Sequence, residues 1–283
     1  WIALGVVVAF AFGIGTRSPA QCVVGTNAAL TFDGIDDRAI VLPTTAADAF
    51  ADFTIEAWFR SPAQSGLGAI VAKHLAIGST PRPYWLGIGP SGQVELCLNY
   101  TGFCGFGTVS VVDSAWHHVA ARRQGATVQI LVDGSVQSTG TYAPQLASVT
   151  AGVYFGRCPD GHQLSGRVDE IRIWNVARTQ AQIQSTMNVG LTGNEPGLVG
   201  YWRFDEGAGQ QTVFNSATAT GSALDGTLGA NALPGSDDPT RITTGLPPIP
   251  YCAPCPSPPC GQLNSACASL LINGVGANAQ GPL

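Results

Sequence analysis

The chain has 283 residues, which is enough for one large β domain or two smaller ones. Charged residues make up only 11% of the sequence, so long amphipathic helices rich in Lys and Glu are not expected. The formal net charge of −5 argues against nucleic acid as the main partner, because phosphate binding requires a basic surface.

Residues 1–20 are predicted to be a secretory signal peptide. The run W-I-A-L-G-V-V-V-A-F-A-F-G-I-G has about the length of a signal-peptide hydrophobic region and is shorter than a membrane span. Ser18 and Ala20 supply the small residues that precede a cleavage site. No Met or basic segment precedes the run, so we expect the precursor's first residues to be missing. A membrane anchor is the alternative, but we expect a secreted or cell-surface protein without a stable span in the mature chain.

Residues 26–232 contain many short strand-like segments separated by turn residues. The stretch F-T-I-E-A-W-F-R, residues 53–60, alternates between two faces, as a strand does. Asp133-Gly134 between two β-rich runs predicts a hairpin. This pattern predicts an all-β sandwich. The other main strand segments are residues 29–32, 39–42, 69–73, 84–88, 93–98, 117–123, 152–156 and 199–205.

The strand G-R-V-D-E-I-R-I-W-N, residues 166–175, contains an acid in an apolar setting. If Ile171 and Ile173 face a core, the period of two places Asp169 on the same face. A bare carboxylate is costly to bury. We therefore expect a cation or a set of hydrogen-bond donors to neutralise Asp169.

One short helix follows this strand. Thr179 is a suitable N-cap, with Gln182 three residues later, and Gly190 is a suitable stop. After residue 232 the composition changes, and nine of the 19 prolines lie in residues 234–259. We predict a Pro/Cys-rich linker over residues 233–262 and the start of a truncated C-terminal module over residues 263–283.

Eight cysteines in an exported chain indicate disulfides. Cys97 and Cys104 flank L-N-Y-T-G-F and are predicted to pair with each other. The tail contains a C-x-x-C without a nearby His, so disulfides are expected there rather than zinc. The tail cysteines are Cys252, Cys255, Cys260 and Cys267.

Five motifs in order resemble the laminin G-like domain of the concanavalin A-like lectin/glucanase superfamily. They are A-L-T-F-D-G-I-D-D, F-T-I-E-A-W-F, W-H-H-V-A, V-D-G and G-R-V-D-E-I-R-I-W-N-V-A-R. The segment L-V-G-Y-W-R-F-D-E-G-A-G resembles the family's edge segment and is expected to complete the same sandwich. The resemblance implies a jelly-roll sandwich of two antiparallel sheets over residues 26–232, and binding or cell adhesion more than chemistry.

The acidic loop D-G-I-D-D is a candidate structural calcium site. Asp33, Asp36 and Asp37 crowd a tight turn, and Ca²⁺ prefers such clustered oxygen ligands. Asp169 would join them if its strand runs beside the loop, and the calcium sites of several superfamily members favour this interpretation. The alternatives are ordinary turn chemistry, with Asp side chains bonding backbone amides, or an Arg that pairs with Asp169.

Aromatic residues in or beside Gly-rich loops are candidate sugar-stacking groups. Flat aromatic faces stack on sugar rings, and a polar neighbour fixes hydroxyls. The alternative is that these aromatics cap the end of the sandwich or cover the Cys97–Cys104 loop. By contrast, the tryptophans embedded in strand motifs are predicted to pack in the sheets. The candidate ligand-binding residues are Tyr84, Trp85, Asn99, Tyr100 and Phe103, with Phe106 nearby.

No catalytic motif is found. Glycoside hydrolysis needs two carboxyl groups a short distance apart, whereas Glu56 is isolated and adjacent Asp169 and Glu170 are predicted to point to opposite faces. We therefore expect a non-catalytic module that binds a glycan or an extracellular protein. A glycan-active enzyme of the same fold, or its accessory domain, is the main alternative. A structural spacer without a ligand is the third.

Overall fold

A computed structural model of the chain describes residues 27–48, 50–75, 82–99, 102–245, 247 and 249. The strands are β1 (Ala29–Asp33), β2 (Ala39–Thr44), β3 (Phe53–Arg60), β4 (Gly68–His74), β5 (Tyr84–Ile88), β6 (Gln93–Leu98), β7 (Phe103–Ser110), β8 (His117–Gln124), β9 (Thr127–Val132), β10 (Ser135–Thr141), β11 (Ala151–Phe155), β12 (Ser165–Trp174), β13 (Leu198–Trp202), β14 (Thr212–Val213), β15 (Gly226–Leu228) and β16 (Thr240–Ile242). The α-helix is α1 (Gln180–Thr186), and a 3₁₀ turn covers Gly221–Leu224.

The strands form two eight-stranded antiparallel sheets. Sheet A has the order β10-β9-β8-β3-β12-β1-β16, and β13 pairs with the second half of β12. Sheet B has the order β14-β15-β2-β11-β4-β5-β6-β7. This arrangement confirms the predicted all-β jelly-roll sandwich. The segment L-V-G-Y-W-R-F-D supplies β13, which confirms that it completes the same sandwich.

The core lies between the inner faces of the two sheets. Along β3, Ile55, Ala57 and Phe59 point into it, as the alternation predicts. Trp202 is fully buried there, and its indole N–H donates to the Leu224 carbonyl at 3.0 Å. Two further motif tryptophans, Trp58 and Trp174, are also buried, but on the outer face of sheet A.

Two local predictions are confirmed in detail. Asp133 and Gly134 both have positive φ, the backbone of a tight hairpin turn between β9 and β10. Helix α1 has the full capping box, with Thr179 as N-cap and Gln182 at the third helical position. The helix ends at Thr186 with Met187 as its C-cap, before the predicted stop at Gly190, and lies against sheet A through the buried Ile183.

The prediction that Asp169 shares a face with the isoleucines is wrong, because β12 contains a β-bulge. Asp169 pairs with Trp58, and Arg172 pairs with Glu56. Between these two pairs β12 advances by three residues while β3 advances by only two, so β12 has one extra residue. Glu170 takes up the extra residue with a φ of +53°. Asp169 is fully buried, as expected, but the register turns it to the outer face, away from Ile171 in the core.

The sandwich extends past the predicted boundary at residue 232. Strand β16 lies within the predicted linker and pairs with β1, Ile242 opposite Ala29. The predicted signal peptide, the tail cysteines and residues 263–283 lie outside the described residues. Within the described part of the chain, no helix is long and apolar enough to cross a membrane.

Candidate functional site

A pocket of about 390 Å³ lies on the outer face of sheet B. Its floor is built from three neighbouring strands, because Trp85 on β5 pairs with Cys97 on β6, which pairs with Cys104 on β7. Cys97 and Cys104 form a disulfide, as predicted. The pocket is lined by Leu67, His74, Arg82, Trp85, Glu95, Cys97, Cys104, Asp160 and His162.

Gly87 determines how Trp85 lies in this floor. A Cβ at Gly87 would overlap both the Trp85 ring and the Gly68 carbonyl, so the indole rests directly over the glycine backbone. His162 packs edge-on against the indole, with the ring centroids 5.7 Å apart. Trp85 is therefore held in one orientation, and only 8% of it is exposed.

The segment from Cys158 to His162 forms one wall of the pocket. It begins after Gly156, whose φ of +80° and close approach to the Phe32 ring leave no room for a side chain. Asp160 in this wall accepts hydrogen bonds from Arg82 Nη2 and meets His74 Nε2, each at 2.9 Å. These contacts tie the wall to β4 and to the entry of β5.

The pocket contains polar groups that are not matched by protein partners. Trp85 Nε1 and His162 Nδ1 are buried and have no hydrogen-bond partner among the described residues. Such atoms are costly unless something satisfies them. Burial raises the pKa of Glu95 above its usual value. Burial lowers the pKa of His162. The charge of Asp160 opposes this shift, whereas Arg82 and His74 add to it, so this imidazole is predominantly neutral at neutral pH.

The structure divides the predicted ligand-binding residues. Trp85 lines the pocket, but Tyr84 does not. Tyr84 points into the core between the sheets, where its hydroxyl donates to the Ala47 carbonyl at 3.2 Å. Neighbouring residues of a strand face opposite ways, so only one of this pair reaches the pocket. The prediction for Tyr84 is therefore wrong.

Asn99 and Phe103 have structural contacts instead. The Asn99 amide donates to Tyr142 Oη and to the Gln145 carbonyl, both at 2.8 Å, and so braces a turn. Phe103 packs against the core and tilts against the Tyr142 ring at 6.0 Å. Both side chains are therefore engaged in contacts within the protein, and neither lines the pocket. Tyr100 lies outside the described residues.

The acidic loop brings three of the four predicted metal ligands together. Carboxylate oxygens of Asp33, Asp36 and Asp37 lie within 4.8 Å of one another. The Asp33 and Asp37 side chains also accept backbone amides within the loop. Burial and the neighbouring Asp33, Asp36 and Asp238 raise the pKa of Asp37 to about 6. This crowding is relieved by protonation or by a cation.

Asp169 belongs to a different group of acids, so its predicted place in the metal site is not supported. The Glu170 N–H donates to Asp169 Oδ1 at 2.8 Å. Burial, Glu170 and Asp205 hold the pKa of Asp169 well above its usual value. Arg203 neutralises part of this charge, since its guanidinium lies 2.8 Å from Asp205.

The bulge also corrects the prediction that Asp169 and Glu170 point to opposite faces. Glu170 accepts hydrogen bonds from Arg172 and Tyr201 on the outer side of sheet A, each at 2.6 Å, so both acids lie on that side. Both carboxylates are nevertheless buried. They are not exposed to a substrate as a catalytic pair would be.

Glu56 is not isolated, contrary to the prediction. It is fully buried, and its carboxylate meets Arg178 at 2.7 Å and His118 at 3.3 Å. The hydrogen bond and charge of His118, with Arg172 and Arg178, outweigh burial and lower the pKa of Glu56 to about 2. This network joins the outer face of sheet A to the residues around α1.

Comparison with known families agrees with this architecture. The sequence profile of a family described as the concanavalin A-like lectin/glucanases superfamily matches residues 33–184, more than half of the chain. The chain belongs to the concanavalin A-like lectin/glucanase superfamily. The superfamily resemblance seen in the five motifs is thereby confirmed. No curated protein matches the sequence.

Solved structures with the superfamily fold include a candidate carbohydrate-binding protein from Bacteroides ovatus, with a TM-score of 0.60 and 21% identity over 81% of this chain. The chain spans 62% of that protein, and identity at this level shows the shared fold alone. Domain 4 of an extracellular arabinanase from Geobacillus stearothermophilus, solved with arabinotriose, has a TM-score of 0.46 and 18% identity over 56% of this chain and 75% of its own. Mouse laminin α1 domains LG4-5 have a TM-score of 0.44 and 17% identity over 58% of this chain and 45% of their own.

Proposed function

We propose that this protein is an extracellular, non-catalytic carbohydrate-binding module, and that the pocket on the outer face of sheet B is its sugar site. The proposal depends chiefly on Trp85, a fixed indole that lines a pocket containing buried polar atoms without protein partners. Sugars combine apolar C–H faces with hydroxyl groups, so they match an aromatic surface beside unpaired donors and acceptors.

Three further observations support the proposal. The pocket volume of about 390 Å³ falls within the range usual for small-ligand sites, roughly 300–1,000 Å³. The Bacteroides ovatus protein with the same fold is described as a candidate carbohydrate binder. An extracellular location is consistent with the Cys97–Cys104 disulfide, since disulfides persist in oxidising compartments.

Binding is favoured over hydrolysis by the state of the two pocket carboxylates. Asp160 is in contact with His74 and Arg82. Of the two carboxylates, only Glu95 therefore lacks an ion-pair partner among the described residues. A glycosidase needs a second carboxyl group free to act as base or nucleophile. We expect no reducing ends to be released from any polysaccharide that the protein retains.

The Trp85→Ala variant tests the site. Because the indole is the aromatic ring against which a sugar would stack in this pocket, we expect retention in affinity electrophoresis through soluble polysaccharides, among them arabinan and β-glucan, to fall at least about tenfold. Trp85→Phe keeps a ring but removes the N–H donor, so intermediate retention is expected.

Trp116→Ala is the matched control, because Trp116 donates to the Gly245 carbonyl and does not line the pocket. It should leave retention unchanged, and thermal melts should show that all variants fold. Equal retention of Trp85→Ala and the native protein would contradict the proposed site. Failure of the native protein to bind any glycan on a broad array would contradict the function itself.

A structural calcium ion in the acidic loop is a second part of the proposal. Asp33, Asp36 and Asp37 would hold the ion, and it would relieve the crowding that raises the pKa of Asp37. Millimolar Ca²⁺ is then expected to raise the melting temperature by about 5 °C, and Asp37→Asn to abolish that rise.

The calcium measurement is scanning fluorimetry with and without EDTA. Mg²⁺ should give a smaller rise, since it accommodates irregular oxygen sites poorly. Asp52→Asn, outside the acidic loop, is the control and should keep the full response to Ca²⁺. A melting temperature that does not respond to Ca²⁺ would contradict the proposed calcium site. The three Asp side chains would then serve only to bond backbone amides in the turn.

A further inference from the structure

Glu95 is a buried carboxylate in the floor of the pocket. It pairs with Gly87 on β5 and with Phe106 on β7, so it lies beside the glycine on which the Trp85 indole rests. Only 7% of Glu95 is exposed, whereas Phe106 is half exposed. A ligand stacked on the indole is therefore placed next to this acid.

The basic side chains Arg82 and His74 contact a carboxylate other than Glu95. Arg82 forms an ion pair with Asp160, and His74 Nε2 lies 2.9 Å from the same carboxylate. The His162 imidazole also lines the pocket, and it is predominantly neutral at neutral pH because burial lowers its pKa. Within the described residues, no Lys, Arg or His nitrogen lies within 4 Å of the Glu95 carboxylate. The Glu95 carboxylate lies 3.3 Å from Cys97 Sγ, but this sulfur belongs to a disulfide and has no proton to donate.

From this arrangement we infer that Glu95 makes the pocket selective for uncharged glycans and against acidic ones. The inference rests on the proposed function and adds a substrate class to it. The hydroxyl groups of a neutral sugar can donate to the carboxylate in a charge-assisted hydrogen bond. When Glu95 is ionised, a uronic acid, sialic acid or sulfate group brings a second negative charge into a partly desolvated site, where like charges repel strongly.

Glu95→Gln separates charge from shape, because glutamine has nearly the same volume and keeps one acceptor. On a glycan array that carries neutral oligosaccharides and their sialylated, uronic or sulfated forms on the same cores, the native protein should bind neutral forms at least about tenfold better than acidic forms. The Glu95→Gln variant should bind neutral forms more weakly and lose most of that discrimination.

Glu195→Gln is the matched control, since Glu195 caps the turn at Thr192 and does not line the pocket. It should keep the native ratio of neutral to acidic binding. Thermal melts confirm that each variant is folded, and Glu95→Asp provides a charged variant that should keep the discrimination even if it binds weakly.

The outcomes distinguish the inference from the proposed function. Native protein that binds acidic forms as well as neutral forms, or a Glu95→Gln variant with the native ratio, overturns the selectivity while Trp85-dependent binding stands. Native protein that binds no glycan of either kind overturns both. A neutral preference that disappears in Glu95→Gln and persists in Glu195→Gln supports the inference.

Discussion

Replacing Arg172 with methionine is expected to lower the free energy of unfolding by about 3–5 kcal/mol. The guanidinium is buried and donates to Glu170 at 2.6 Å, to the Val189 carbonyl at 2.7 Å and to the Thr186 carbonyl at 2.9 Å. Methionine fills much of the space but leaves the buried Glu170 without its closest cation and two carbonyls without that donor. The cost of the buried charge therefore dominates the loss.

Urea denaturation followed by tryptophan fluorescence measures this effect. Arg60→Met is the control, because Arg60 is partly exposed and donates to the Ser114 carbonyl at a solvent-exposed site. That change should cost about 1 kcal/mol or less. If Arg172→Met costs no more than the control, then the network on the outer face of sheet A does not stabilise the fold as described.

Raising the pH from 5 to 8 is expected to destabilise the fold by about 2–4 kcal/mol. Burial raises the pKa of Asp205 to about 7, with Glu170 and Glu206 adding to it and Arg203 opposing it. Burial also raises the pKa of Asp169 and of Asp37, the latter to about 6. The folded protein therefore holds protons that the unfolded chain has already released at pH 5.

The direction of this effect follows from the raised values. Stability from these acids is fully present below the unfolded pKa near 4 and is lost as the pH rises through about 6 and 7. His162 opposes the trend in part, because burial lowers its pKa and its charging is costly at low pH. The net result is a protein that is most stable under mildly acidic conditions.

Chemical denaturation at a series of pH values, with EDTA present to exclude calcium, tests the trend. Asp205→Asn mimics the protonated acid, so it should remove about half of the pH dependence. Asp52→Asn, whose native carboxylate accepts the Gly125 amide, should leave the trend unchanged. Stability that is constant or increases between pH 5 and pH 8 would show that the buried acids are neutralised in another way.

The sequence predicts local structure well and the pocket poorly. Alternation in residues 53–60, the Asp133-Gly134 turn and the Thr179 cap each depend on neighbours along the chain, and all three are confirmed. The bulge at Glu170 escaped prediction because a non-glycine residue with positive φ has no sequence signal of its own. Because of this one extra residue, each side chain that precedes Glu170 in β12 points to the face opposite to the one that simple alternation predicts.

The pocket depends on contacts between distant segments. Asp160 meets Arg82 across 78 positions, and no local pattern signals that contact. Alternation along β5 and β6 does place Trp85 on one face and Tyr84 on the other, and it aligns Glu95 with Cys97. Alternation alone does not say whether Tyr84 or Trp85 points outward, because that depends on which face of β5 packs against the other sheet.

The pairing of β16 with β1 brings the first and last strands of the sandwich together. Ala29 lies directly opposite Ile242, and Cα atoms in such antiparallel pairs are about 5 Å apart. The start of β1 and the end of β16 therefore lie side by side at one edge of sheet A, and adjacent ends of this kind are the geometry that tolerates circular permutation or grafting into a host loop. This edge belongs to sheet A and the pocket lies on sheet B, so the two features are on different sheets.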